Sequence, residues 1–132
     1  MINLLLTLIG LGIIIPIDST YLILNKNFYK PIIDPDEKIN LIYAVVTWLI
    51  IIISIQLLVL SRNDINASNS FINGLFLGFA TYGIYNFTSA SLYPSKWTEF
   101  IIFGDTLWGT LLTGLISFIL YHISYSNTYL SI

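Results

Sequence analysis

Cysteine is absent from the 132-residue sequence, which excludes disulfides, thiolate metal sites and dithiol redox motifs and leaves the compartment open. Histidine occurs once, and no nucleophile–histidine arrangement or P-loop is present. No catalytic residue, metal or cofactor is assigned, and an enzyme is not the expected class. Charge is the scarcest property: 9% of residues are charged, against about 25% in a soluble domain. Twelve charged side chains (five basic, seven acidic) could not keep the surface of a 15.0 kDa globule wet. The five cations form no patch able to neutralise a phosphate backbone, so nucleic acid is not an expected partner.

What is abundant is hydrocarbon. Hydrophobic residues make up 56% of the chain, and mean hydropathy is +0.83. Such a chain needs lipid as its solvent, and the bilayer is the expected partner. A membrane helix requires about 20 largely apolar residues to cross about 30 Å of hydrocarbon. Four segments qualify: residues 2–24, 39–60, 71–92 and 100–123. At 1.5 Å per residue each is about 33–36 Å long, enough to span with modest tilt. The fold class expected is therefore all-α, a polytopic membrane protein with a four-transmembrane-helix bundle, in a single domain over residues 1–132. The first segment has no basic leader region and no small-residue cleavage site, so it reads as a retained helix. The third is uncharged but rich in Gly, Tyr, Thr, Ser and Asn, and is the least secure by composition.

The connecting stretches are polar. Residues 25–38 carry Pro31, Pro35 and three lysines, and residues 93–99 carry Pro94 and Lys96. Arg62 is the cation of the second connection. Basic loops stay cytoplasmic, so loops 25–38 and 93–99 are expected on the cytoplasmic side with both termini opposite. Tyr29, Tyr43, Tyr93, Trp97, Tyr121 and Tyr125 cluster near the proposed ends, where amphipathic rings favour the interface. The excess of Ile and Asn, with few Val and Ala, reads as an AT-rich genome rather than a functional bias.

The formal charge is -2. Asp34, Asp36, Glu37, Asp64 and Glu99 lie beside the five cations and balance them. The net charge is thus left to Asp18 and Asp105, both inside apolar segments. Counting from the nearest span ends, Asp18, Asn86 and Asp105 all lie about 7–9 Å inside the same boundary. Thr47 of the second span falls at about 12 Å. Three helices thus offer a carboxyl or carboxamide at one level, which points to a packed polar cluster. Tyr21 stands three residues after Asp18 and Trp108 three after Asp105, so each pair shares a face. Tyr82 and Ser89 share the face of Asn86. Gly74 and Gly78, and Gly109 with Thr113, provide the small-residue spacing that lets helix backbones approach closely. Pro16 removes one helix hydrogen bond and is expected to kink the first helix beside Asp18.

No cation lies at this depth, since His122 is at the opposite end of the fourth span. Desolvation and like-charge proximity both disfavour ionisation. At least one of Asp18 and Asp105 is therefore expected to be protonated at neutral pH, or the pair to share a proton or cation. Infrared carboxyl bands followed through a pH titration test this. The candidate ion- or solute-binding set is Asp18, Asn86 and Asp105 with Tyr21, Tyr82, Ser89 and Trp108.

Several blocks of sequence resemble a known family. The first is Ile17-Asp18-Ser19-Thr20-Tyr21-Leu22 followed by Asn27-Phe28-Tyr29-Lys30. The second runs from Gly78 through Ala80-Thr81-Tyr82 to Asn86 and Ser89. Trp97 and Asp105-Thr106-Leu107-Trp108-Gly109 complete the set. In this order they resemble the small four-helix integral membrane proteins of the "domain of unknown function 2177" family. The resemblance implies the fold and the position of the polar residues, and carries no activity with it. Three positions depart from the family pattern: Asn86 and Ser89 stand where an Asp and an Asn are usual, and Tyr21 where a Trp is. The loss of one carboxylate speaks against a three-acid proton or metal site.

Two functions compete. One is a small transporter or channel subunit, expected as a homo-oligomer because four helices enclose little cavity. It would handle a proton, cation or polar solute through the Asp/Asn layer. The other is a structural or accessory membrane protein, a virion-membrane protein being one version, whose polar layer fixes helix packing. An intramembrane aspartic hydrolase is disfavoured, because Ile102-Phe103-Gly104-Asp105 lacks the first glycine of the Gly-x-Gly-Asp motif.

Overall fold

The computed structural model describes residues 1–33, 36 and 38–126. Asp34, Pro35 and Glu37, counted above in the first connection, lie outside the described residues. All regular structure among the described residues is helical. Helix α1 is Leu4–Leu24, α2 is the single turn Lys26–Tyr29, and α3 is Leu41–Leu60. Helix α4 is Ala67–Leu92 and α5 is Phe100–Ser126.

Asparagine starts three of the four long helices. The side chains of Asn3, Asn40 and Asn66 accept from the backbone N–H of Leu6, Ile42 and Asn69, respectively, satisfying donors that a helix N-terminus leaves open. The cap at Asn66 begins α4 earlier than the expected residue 71, and α5 extends to Ser126 rather than 123. Helices α1, α3 and α5 are long and apolar enough to cross a membrane. Helix α4, at 26 residues, is long enough but less apolar. Its Asn, Ser, Thr and Gly residues set it apart from the other three. Helix α1 continues through Pro16.

The packing inverts the pattern of a soluble bundle. On α4 the buried positions are Ser70, Gly74, Gly78, Gly83 and Asn86, while Phe76, Phe79, Ile84 and Phe87 face outward. Helices α4 and α5 form the most extensive pair. A Cβ on Gly78 would stand 2.6 Å from the Gly109 carbonyl oxygen and 2.8 Å from the Thr113 Cβ. One on Gly74 would meet the Ser117 Cβ at 2.7 Å. Close approach along this seam therefore requires glycine, and dispersion between backbones holds it. The remaining core is aliphatic: Leu6 and Ile14 of α1, Ile52, Ile55 and Val59 of α3, and Leu112, Ile116 and Leu120 of α5.

Two stretches depart from α geometry. Ile55–Leu60 at the end of α3 and Phe100–Asp105 at the start of α5 are π-helical. Such segments are rare and recur at functional positions. Each contains a polar side chain turned into the bundle. In α3 it is Gln56, fully buried, whose Nε2 donates to Thr7 Oγ1 at 2.7 Å and whose Oε1 accepts from the Asn3 backbone at 2.8 Å. In α5 it is Asp105.

Candidate functional site

Asp105 and Asn86 meet as their common depth predicts. Asn86 is fully buried, and its Nδ2 donates to Asp105 Oδ2 at 2.8 Å. The same nitrogen reaches the Tyr82 carbonyl at 3.0 Å and Thr106 Oγ1 at 3.3 Å. Asn86 Oδ1 accepts from the Trp97 indole at 3.0 Å. The other Asp105 oxygen accepts from the Tyr29 hydroxyl at 2.8 Å. Tyr29 arrives there because α2 turns the chain back over the bundle after α1 ends. Its hydroxyl is pushed above the ordinary phenol range, first by burial and then by its contacts with Tyr21 and Asp105: an ionised phenolate there would be desolvated beside a carboxylate.

Asp18 is held elsewhere. Its Oδ1 accepts from the Trp108 indole and its Oδ2 from the Trp48 indole, both at 2.8 Å. No hydrogen bond joins Asp18 to Asp105 among the described residues, so the three-way convergence expected from depth resolves into two hubs. Aromatic rings lie between them. Tyr21 stacks on Trp108 with centroids 4.2 Å apart and planes at 5°, and its hydroxyl lies 3.4 Å from that of Tyr29.

The expected site residues therefore divide. Asn86, Asp105 and the backbone of Tyr82 belong to one hub, and Asp18 and Trp108 to the other, with Tyr21 between them. The Tyr82 ring covers Gly109. Ser89 joins neither hub with its side chain. Thr47 is also outside: it is exposed and bonds back to the Tyr43 carbonyl at 2.9 Å, while its neighbour Trp48 turns inward. Tyr29, Trp48, Trp97 and Thr106 were not assigned from sequence, nor was the Gln56–Thr7 pair. Tyr29, Trp97 and Thr106 stand in the blocks that carry the family resemblance, and Gln56 and Thr7 fall at one depth near the opposite boundary, whereas Trp48 has no comparable signal.

Every buried side-chain nitrogen and oxygen among the described residues has a hydrogen-bond partner. No group of three metal-ligating side chains occurs among them. The two hubs differ in access. Asp105, Asn86, Tyr29 and Trp97 line an open cavity of about 620 Å³ between the ends of α1 and α4 and the start of α5. Its walls include Leu22, Ile23, Ile32, Ile33 and Ile101, and Lys26 stands at its rim. Asp18 does not line it.

The geometry as a whole, with three membrane-length apolar helices, exposed aliphatic and aromatic side chains and small residues inside, is that of an integral membrane protein in a lipid bilayer. No curated protein and no solved structure matches the chain. The family model described as "Predicted membrane protein (DUF2177)" matches residues 3–122, and with that coverage the chain belongs to this family.

Proposed function

We propose that the protein is a small transporter or channel subunit that handles a proton, cation or polar solute at Asp105, Asn86 and Tyr29. The observation that carries this reading is the carboxylate on the wall of an open cavity of about 620 Å³. Residues serving helix packing alone have no need of such access, and an intramembrane ionisable residue marks a solute or ion pathway by default. In this reading α4 is a fourth span: its 26 uncharged residues reach about 39 Å. The cavity then opens on the side of loops 25–38 and 93–99, which face the cytoplasm, with the termini opposite. Below it the α4–α5 glycine seam closes the bundle, so a path across the bilayer is completed between two copies of the chain.

A structural role is the better reading for Asp18. Both of its oxygens are occupied by indoles from two different helices, which ties α1 to α3 and α5.

Flux of protons and monovalent cations in proteoliposomes tests the proposal. Asp105→Asn should abolish a flux present in the wild-type protein and lower the helical melt less than Asp18→Asn, because the Tyr29 hydroxyl can accept from the introduced amide whereas an indole cannot. Asp18→Asn should lower the melt without abolishing the flux. Equal flux in wild type and Asp105→Asn, for every ion tried, refutes the transport role.

A further inference from the structure

We infer that the Asp105 cavity takes a lipophilic amine: a ligand with one ammonium group on a compact apolar body. The inference rests on the reading of this cavity as a solute site and names the ligand class. Size comes first. A volume of about 620 Å³ lies within the usual range for small organic ligands, about 300–1,000 Å³, and is far larger than a bare ion requires. The walls come second. Leu22, Ile32, Ile33 and Ile101 offer a ligand no hydrogen bonds and favour an apolar body.

The third argument is the hydrogen-bonding capacity that remains. The Asn86 amide is already committed: its nitrogen donates to the Tyr82 carbonyl and Asp105, and its oxygen accepts from Trp97. The Tyr29 proton goes to Asp105, the nearer of its two partners. What is left facing the cavity is acceptor capacity: the second lone pairs of the Asp105 oxygens. Such a floor selects a donor. Asp105 makes no ion pair among the described residues, and the two donors that reach it, Tyr29 and Asn86, are both neutral. Lys26 at the rim is exposed, where solvent screens it. An anion would meet Asp105 with no buried cation to receive it. A cation would find the carboxylate, with the Tyr85 and Trp97 rings also on the lining. Aromatic faces of this kind attract ammonium groups.

Three probes of one shape separate the possibilities: 1-adamantylammonium, 1-adamantanol and 1-adamantanecarboxylate. Binding is measured by calorimetry to the full chain in dodecyl maltoside micelles, whose headgroups carry no charge, with empty micelles as blank. The ammonium should bind about tenfold or more tightly than the other two, equivalent to about 1.4 kcal/mol. Asp105→Asn should erase that preference, and Leu22→Trp, which fills the apolar wall, should weaken all three probes. The preference is read on the wild-type protein, so poor folding of Asp105→Asn leaves the test intact. Equal binding of the three probes, or tighter binding of the carboxylate, overturns the ligand class. If Leu22→Trp still weakens that binding, the cavity survives as a solute site. Binding of none of the probes overturns the inference as well, and an Asp105-dependent flux of small cations in proteoliposomes would then leave the transport reading standing without it.

Discussion

Asparagine is the usual conservative replacement for aspartate, and at position 18 it should be a damaging one. The two Asp18 oxygens each accept from an indole N–H at 2.8 Å, one from Trp48 and one from Trp108. A carboxamide keeps one acceptor and replaces the other with an N–H₂ donor. Whichever way it turns, that donor faces an indole donor. One charge-assisted bond is then lost, worth about 1.5–3 kcal/mol, and one buried N–H is left unsatisfied at about 1–3 kcal/mol. Polar pairs in membrane proteins average only about 0.6 kcal/mol, because the unfolded chain in lipid also finds partners. A net loss of about 2–3 kcal/mol is the expected outcome. Trp108→Phe removes the same bond from the other side and keeps the stack on Tyr21, so it should cost about 1–2 kcal/mol. Combined, the two changes should cost less than their sum by about 1 kcal/mol, since the amide can point at the introduced phenyl ring rather than at an indole. Equilibrium unfolding in mixed micelles, followed by far-ultraviolet circular dichroism, measures all three variants without relying on tryptophan emission. The reasoning fails if Asp18→Asn unfolds within about 0.5 kcal/mol of wild type, or if the two costs simply add within the usual error of about 0.3–0.5 kcal/mol.

Three further substitutions have expected outcomes. Gly78→Ala should destabilise by about 1–3 kcal/mol, because the added carbon meets the Gly109 carbonyl oxygen at 2.6 Å and backbone cannot rotate away. Gly12→Ala meets nothing within 4 Å and should be neutral or stabilising by up to about 1 kcal/mol; unfolding that ranks them the other way removes the seam argument. Tyr29 is held protonated in the folded protein by burial. The unfolded chain therefore releases its proton first, and stability present below about pH 10 is lost as pH rises above it. Tyr29→Phe should reduce the alkaline slope by about 1.4 kcal/mol per pH unit, and an unchanged slope in urea or micelle titrations above pH 10 would show that Tyr29 does not contribute.

The membrane class, the helical fold and the depth of the polar groups were decided by the chain alone. Scarce charge leaves lipid as the solvent, and a fixed rise per residue converts position into depth. The pairing of Asn86 with Asp105 follows from that, as does the glycine seam from Gly74, Gly78 and Gly109. Depth, however, says nothing about which neighbour stands across the bundle. Asp18 shares the level of Asp105, yet two indoles reach it, and one belongs to Trp108, whose ring spacing from Asp105 had placed it on the other hub. Thr47 and Trp48 are adjacent in sequence, and rotation of α3 alone decides that the hydroxyl faces outward and the indole inward. Tyr29 lies in a connection without periodicity, so its return over the bundle to Asp105 has no local signal. The difference between the two carboxyls is likewise tertiary. One is enclosed between indoles from two helices and the other lies beside a gap where three chain segments fail to close. A gap is a property of packing, and no single segment encodes it.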